Sequence, residues 1–363
     1  MALVLFCLGG TTGGAVMVRP SGAYASPGVG CVPAVEANLP DVPWPQLRLA
    51  PDRAWASARG AGISIGIVGS GVEAASPALA GRVAAGADIM TGKGFANGDC
   101  LGVGTAMAGV AVAQPRPGSG LVGFAPDATV LPLRIVAEGR DRAGQLAVAL
   151  QVAVSAGVAV IAVSGFVDLG DPNVDAAVRA TVARGVVVVV AADQVIGGQR
   201  VPGVLRVGAV DAGNHLVGSY RAGGVDVVAP GASIITLGAN GSGEVMQNGS
   251  HLAVAFVAAV VALVRSAAGG LPADRAAEQV ITTADQIGAA RPDPQTGWGM
   301  IDPVQAVQVD PAPITEAAAP SAADGSSRTF WGIGLIVLAL VIAVLAAWQW
   351  RASRASGGKP AES

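Results

Sequence analysis

Apolar positions in this chain gather in short, almost unbroken runs: ISIGIVG at 63–69, TVLPLRIV at 129–136, VAVIAVSG at 158–165 and VVVVVAA at 186–192. A strand with one face in water alternates apolar and polar residues, so runs without alternation predict strands covered on both faces. Between them, AGQLAVALQVAVSAG (143–157) and VDAAVRATVARG (174–185) repeat at the helical period. This alternation predicts an α/β fold, a parallel sheet with helices on both faces, over residues 50–308, with ligands expected at the carboxyl ends of the strands. One further stretch, QNGSHLAVAFVAAVVALVR at 247–265, is a glycine turn opening into an apolar helix, with His251 at its start.

The two ends have a different texture. Residues 1–25 contain an apolar stretch ahead of Ala23-Tyr24-Ala25 and read as an export signal cleaved before Ser26, leaving 26–49 as an extended N-terminal segment. Residues 309–328 are rich in Pro, Ala and Ser without apolar period, the composition of a tether. The uncharged stretch 329–350 follows, with Phe330 and Trp331 at one end and Trp348 and Trp350 at the other. As a helix it is long enough to cross a hydrocarbon layer of about 30 Å, with aromatic residues at both interfaces. Arg351, Arg354 and Lys359 follow this stretch, against Arg328 alone just before it. That bias predicts a single-pass cell-membrane protein with residues 351–363 cytoplasmic and the domain outside.

Composition narrows the function classes. Hydrophobic residues make up 52% and charged residues 13%, enough apolar material for a large core. The net charge of -3 offers no basic excess for nucleic acid. Cofactors and metals are not expected, since His215 and His251 are far apart and there is no paired-cysteine spacing. Without the export signal the chain keeps Cys31 and Cys100, and in an oxidising compartment two cysteines suggest one disulfide, the alternative being two free thiols.

Four segments come in a telling order: Asp41-Val42-Pro43-Trp44 followed by RGAGISIGIVGSGV, then GDCLGVGTAMAGVAVAQP, then the GSH helix, then TGWGMIDPVQAV. In this the chain resembles the subtilisin-like proteases, and with its export signal, early cysteine, tether and terminal span it resembles the mycosins, membrane-anchored subtilases of type VII secretion. The resemblance implies a serine triad in the order Asp, His, Ser. The seat of the orienting Asp falls on Gly69, that of the base on Val103 within Gly102-Val103-Gly104-Thr105, and that of the nucleophile on His251 within Gly249-Ser250-His251. The oxyanion-stabilising Asn falls on Gln194, whose extra methylene would misplace its donor. The substrate-groove edge of the family maps to Val163, Ser164 and Gly165.

None of the triad seats carries the residue its role needs. A valine accepts no proton, and Ser250 with His251 makes a poor dyad because residues one apart in a helix do not face each other. Loss of the nucleophile or base alone removes about 10⁶ of subtilase rate, roughly 8 kcal/mol of transition-state stabilisation. The expectation is therefore a membrane-embedded, mycosin-like pseudoprotease, a structural or binding component of a type VII secretion membrane complex. Two alternatives stand beside it: an active endopeptidase of the mycosin type, and a module that binds an extended peptide without cutting it.

Overall fold

The computed structural model describes residues 30–308, apart from 138–139, 142–144 and 242. The export signal, tether, span and tail expected from the sequence lie outside these residues.

The first elements among the described residues are two short helices, α1 (Trp44–Leu49) and α2 (Pro51–Ala54), then β1 (Ser64–Gly69), β2 (Ala87–Asp88) and α3 (Val103–Val112). The next group is β3 (Thr129–Arg134), β4 (Val136–Ala137), β5 (Arg140–Asp141), α4 (Leu146–Ser155), β6 (Val160–Val163) and β7 (Val167–Asp168). After α5 (Pro172–Ala183) come β8 (Val187–Ala191), β9 (Val195–Ile196), β10 (Val204–Val210) and β11 (Val227–Pro230). The hairpin β12 (Ile234–Leu237) and β13 (Glu244–Gln247) leads into α6 (Ser250–Ala267), α7 (Ala273–Thr282) and α8 (Pro303–Ala306).

Seven strands form the main sheet in the order β11-β10-β8-β6-β1-β3-β2, and every neighbouring pair runs parallel. The unbroken apolar runs follow from what covers its faces. In β8, Val187 and Val189 pack into the core shared with α3 and α6, whereas Val188 and Val190 pack into the core shared with α4 and α5. Period-two geometry sends successive side chains to opposite faces, so a strand buried on both must be apolar throughout.

Helix α6 runs through the larger core. It is apolar and long enough to cross a membrane, yet Leu252 through Val264 are buried inside the domain. Phe256 meets Phe124 edge to face at a ring-centroid distance of 4.7 Å, a favoured aromatic geometry.

The N-terminal segment is stitched across the hairpin ahead of α6. Cys31 and Cys100 form a disulfide, and Val32 N–H donates to the Cys100 carbonyl at 2.8 Å. Further along, Gly243 and Glu244 donate their N–H groups to the carbonyls of Val35 and Ala37 at 2.7 and 2.8 Å. The buried Glu244 carboxylate accepts from Leu39 N–H at 2.9 Å and pairs with Arg116 at 3.2 Å.

The disulfide closes a loop of 69 residues, for which the chain-entropy model gives about 4 kcal/mol of stabilisation. A Cys31→Ser, Cys100→Ser double variant should lose stability of this order in denaturant titration, with a steeper denaturant slope because the uncrosslinked unfolded chain exposes more surface.

Candidate functional site

The carboxyl end of β1, an interior strand of the sheet, meets the start of α3 at the end of the sheet where a ligand site was expected. β1 ends at Gly69. The buried Ser164, just after β6, donates its hydroxyl to the Val68 carbonyl at 3.0 Å. A Cβ built on Gly69 would stand 2.4 Å from Ser164 Oγ, so the serine hydroxyl occupies the space a side chain at this seat would enter. The next residue, Ser70, accepts a hydrogen bond on Oγ from Gly104 N–H at 3.1 Å. The chains then approach too closely for any side chain, because a Cβ on Gly104 would lie 1.9 Å from the Gly71 carbonyl oxygen. Gly69-Ser70-Gly71 and Val103-Gly104 are thus brought into direct contact, with the apolar Val103 packed against the core beside them.

A buried carboxylate holds this junction. Asp99 Oδ1 accepts from Leu101 N–H at 3.1 Å and Gly102 N–H at 2.9 Å, while Oδ2 accepts from Thr105 N–H at 2.8 Å and Thr105 Oγ1 at 2.7 Å. These bonds satisfy N–H groups at the start of α3 that have no partner within the helix, and they place a negative charge at its positive end. Thr105 Oγ1 in turn accepts from Glu73 N–H at 3.0 Å, tying in the chain beyond the β1 turn. From the far side, Arg134 donates to the Ser70 carbonyl at 3.1 Å and pairs with Asp88 at 3.1 Å. Asp99 was not singled out from the sequence; an Asp a few residues ahead of an apolar helix was the available signal.

His251 lies in the first turn of α6. Its ring folds back over Gly249, where a Cβ would come within 2.4 Å of ring atoms Cε1 and Nδ1. Together with φ of 156° at Gly249, this explains the glycine. The residue keeps some surface, but Nε2 is shielded and has no hydrogen-bond partner. Burial holds its pKa down at about 4, below the ordinary 6.5, so the ring is neutral near pH 7. Among the described residues, no hydrogen bond joins His251 to Ser250, Ser70 or Ser164.

The remaining positions are scattered in role. Gln194 sits in the turn after β8, its carbonyl accepting from Val167 N–H at 2.8 Å and its own N–H donating to Ala191 at 3.0 Å. Val163 is paired on both flanks, with Val68 and with Val190, and Ser164 donates both N–H and hydroxyl to Val68. Of the three groove-edge residues this leaves Gly165, where an added Cβ would meet nothing within 4 Å. His215 lies in an exposed turn, Nδ1 3.2 Å from Asp211, away from the junction in sequence and in partners.

The model of the subtilase family matches residues 60–299. The chain belongs to the subtilase family. It is 29% identical over 344 residues to Mycosin-1 of Mycobacterium tuberculosis, spanning 77% of this chain and 76% of that relative. Its fold superposes on the crystal structure of MycP1 with the N-terminal propeptide removed, with TM-score 0.67 and 26% identity over 75% of this chain and 99% of that one. MycP3 protease from the type VII (ESX-3) secretion system matches with TM-score 0.63 and 26% identity, covering 81% of this chain and 100% of that structure. The likeness to mycosins expected from the order of the motifs is borne out, as is the parallel α/β architecture. This subtilase has Gly69, Val103 and His251 at the positions where the motif order of the sequence leads one to expect the triad.

Two measurements probe the junction. Asp99→Ala should cost about 3 kcal/mol, since it leaves buried donors without their charged acceptor, and chemical denaturation reads it directly. His251 sets a pH dependence whose sign follows from its depressed pKa: the unfolded imidazole binds a proton below about pH 6.5, whereas the folded one does not until about pH 4. Stability is therefore insensitive to this group above pH 6.5 and falls by up to about 3 kcal/mol as pH drops towards 4. The difference between the stability curves of the parent and His251→Gln should be confined to that window.

Proposed function

We propose that this subtilase is a pseudoprotease: a membrane-anchored, mycosin-like domain that serves as a structural or binding component of a type VII secretion membrane complex. The observation that carries the reading is the Gly69 seat, where Ser164 Oγ would stand 2.4 Å from an added Cβ and is already bonded to the strand behind it. Opposite it, Val103 has no proton to accept or give, and His251 is neutral with an unpartnered Nε2. Peptide hydrolysis needs a nucleophile and a base within hydrogen-bond reach, and fold alone does not supply them. On this reading the backbone contacts between the turn after β1 and the start of α3 serve packing. The secretion role rests on likeness to MycP1 and MycP3, and the membrane anchor on the apolar stretch 329–350.

Affinity isolation of the tagged full chain from detergent-solubilised membranes tests the assembly role. The proposal expects stoichiometric recovery of type VII secretion membrane components; recovery of the chain alone, under conditions that preserve the complex, would overturn that role.

A further inference from the structure

Three asparagines in the chain precede a glycine: Asn97, Asn240 and Asn248. Asparagine is among the chemically least durable residues, and a following glycine leaves the next backbone nitrogen unshielded and free to turn towards the side-chain amide. The fold treats the three pairs differently. Asn97 is gripped at both ends of its amide, since Oδ1 accepts from Gly86 N–H and Nδ2 donates to the Ala84 carbonyl, each at 3.0 Å. Asn248 Oδ1 accepts from Ser233 N–H at 2.6 Å, and the nitrogen that would attack this residue is engaged too, Gly249 N–H donating to the Gly231 carbonyl at 2.8 Å.

Asn240 is exposed in the turn between β12 and β13, and among the described residues nothing accepts from the Gly241 N–H. Its side chain makes one bond, from Nδ2 to the Val32 carbonyl at 2.9 Å. The backbone favours both members of this pair. Asn240 has a φ of 57°, in the left-handed region that asparagine tolerates better than most residues with a side chain. A Cβ on Gly241 would stand 2.3 Å from the Val35 carbonyl oxygen, so a larger residue has no room beneath the N-terminal segment. Packing of that segment on the hairpin thus selects a labile dipeptide and leaves it in solvent.

We propose that Asn240-Gly241 is a self-modification site, whose conversion to aspartate and isoaspartate releases the N-terminal segment from the hairpin. The Gly241 nitrogen, having given its proton to solvent, bonds to Asn240 Cγ; the Cγ–Nδ2 bond breaks and the nitrogen leaves as ammonia, taking up a proton from water. Water then opens the resulting five-membered imide. Attack at Cγ restores the peptide bond and gives aspartate, whereas attack at the backbone carbonyl carbon gives isoaspartate, with the chain now running through Cγ. One water is consumed and one ammonia released, with no oxidation. Either product replaces the donor facing Val32 by a carboxylate, which only accepts and so repels the Val32 carbonyl. Isoaspartate also lengthens the turn by one carbon, next to the Gly243 N–H that holds the Val35 carbonyl at 2.7 Å. The segment then stays tied at one end by the Cys31–Cys100 disulfide while its hold at Val32 and Val35 is lost.

The test ages the full chain in detergent in mildly alkaline buffer, with a parallel sample in urea, and follows each Asn-Gly peptide by mass spectrometry. In urea all three pairs should gain the dalton that marks loss of the amide; in the folded chain Asn240 should gain it well ahead of Asn97 and Asn248, and isoaspartyl methyltransferase should label that peptide. Asn97 or Asn248 converting as fast as Asn240 in the folded chain, or Asn240 converting only in urea, would overturn the assignment. For the release, hydrogen exchange over residues 32–39 is compared in fresh protein, aged protein and fresh Asn240→Asp. Exchange should be about tenfold faster in the latter two, the change expected from loss of one hydrogen bond. Unchanged exchange in protein fully converted at Asn240 would overturn the release, and this comparison stands whether or not the variant folds.

Discussion

The carbonyl oxygen of Gly71 stands where any side chain on Gly104 would have to be, at 1.9 Å from the built Cβ, and much of the site's geometry depends on that approach. It brings the turn after β1 against the first turn of α3, and the two backbones cannot separate without breaking the bonds from Gly104 N–H to Ser70 and from Glu73 N–H to Thr105. The buried carboxylate neutralises the exposed end of the helix, the Thr105 hydroxyl relays the contact to Glu73, and Arg134 closes the arrangement from β3. Every member of this junction is a backbone group or a residue bonded to one. It can therefore persist whatever side chains occupy Gly69 and Val103.

On the proposed pseudoprotease reading, that separation between mount and mounted residue would let a subtilase framework survive changes at its triad seats. In an active member the same contacts would hold an acid, a base and a nucleophile in register. Here the space beside Gly69 has been taken by the hydroxyl of Ser164, Val103 faces the core, and His251 rests its ring on Gly249. Each substitution is locally satisfied except for one shielded nitrogen, His251 Nε2.

Much of the fold was legible in the sequence for a simple reason. A strand buried on both faces cannot afford polar residues, so the runs at 63–69 and 186–192 announced β1 and β8. Gly71 and Gly104 were visible in the sequence too, and the structure shows why glycine stands at 104: the Gly71 carbonyl fills the space of its side chain. What stayed hidden depends on long-range packing. Nothing local to Ser164 says that its hydroxyl reaches into the space beside Gly69, 95 residues earlier in the chain than itself and next to Val68 at a separation of 96. Asp99 resembles any loop aspartate, because only the fold brings its carboxylate to the N–H groups at the start of α3. The pairing of residues 32–39 with the β12–β13 hairpin was invisible for the same reason, since it joins segments about two hundred residues apart, such as Asn240 and Val32 at a separation of 208.

The central claim is that the scaffold is kept and the serine chemistry is gone, and labelling by a serine-hydrolase-directed phosphonate tests it most directly. The full-length protein, folded by circular dichroism and exposed to the probe alongside an active subtilase, should remain unlabelled. Robust labelling that disappears on Ser250→Ala would contradict the account, since it would place a working nucleophile beside the histidine that here has no partner.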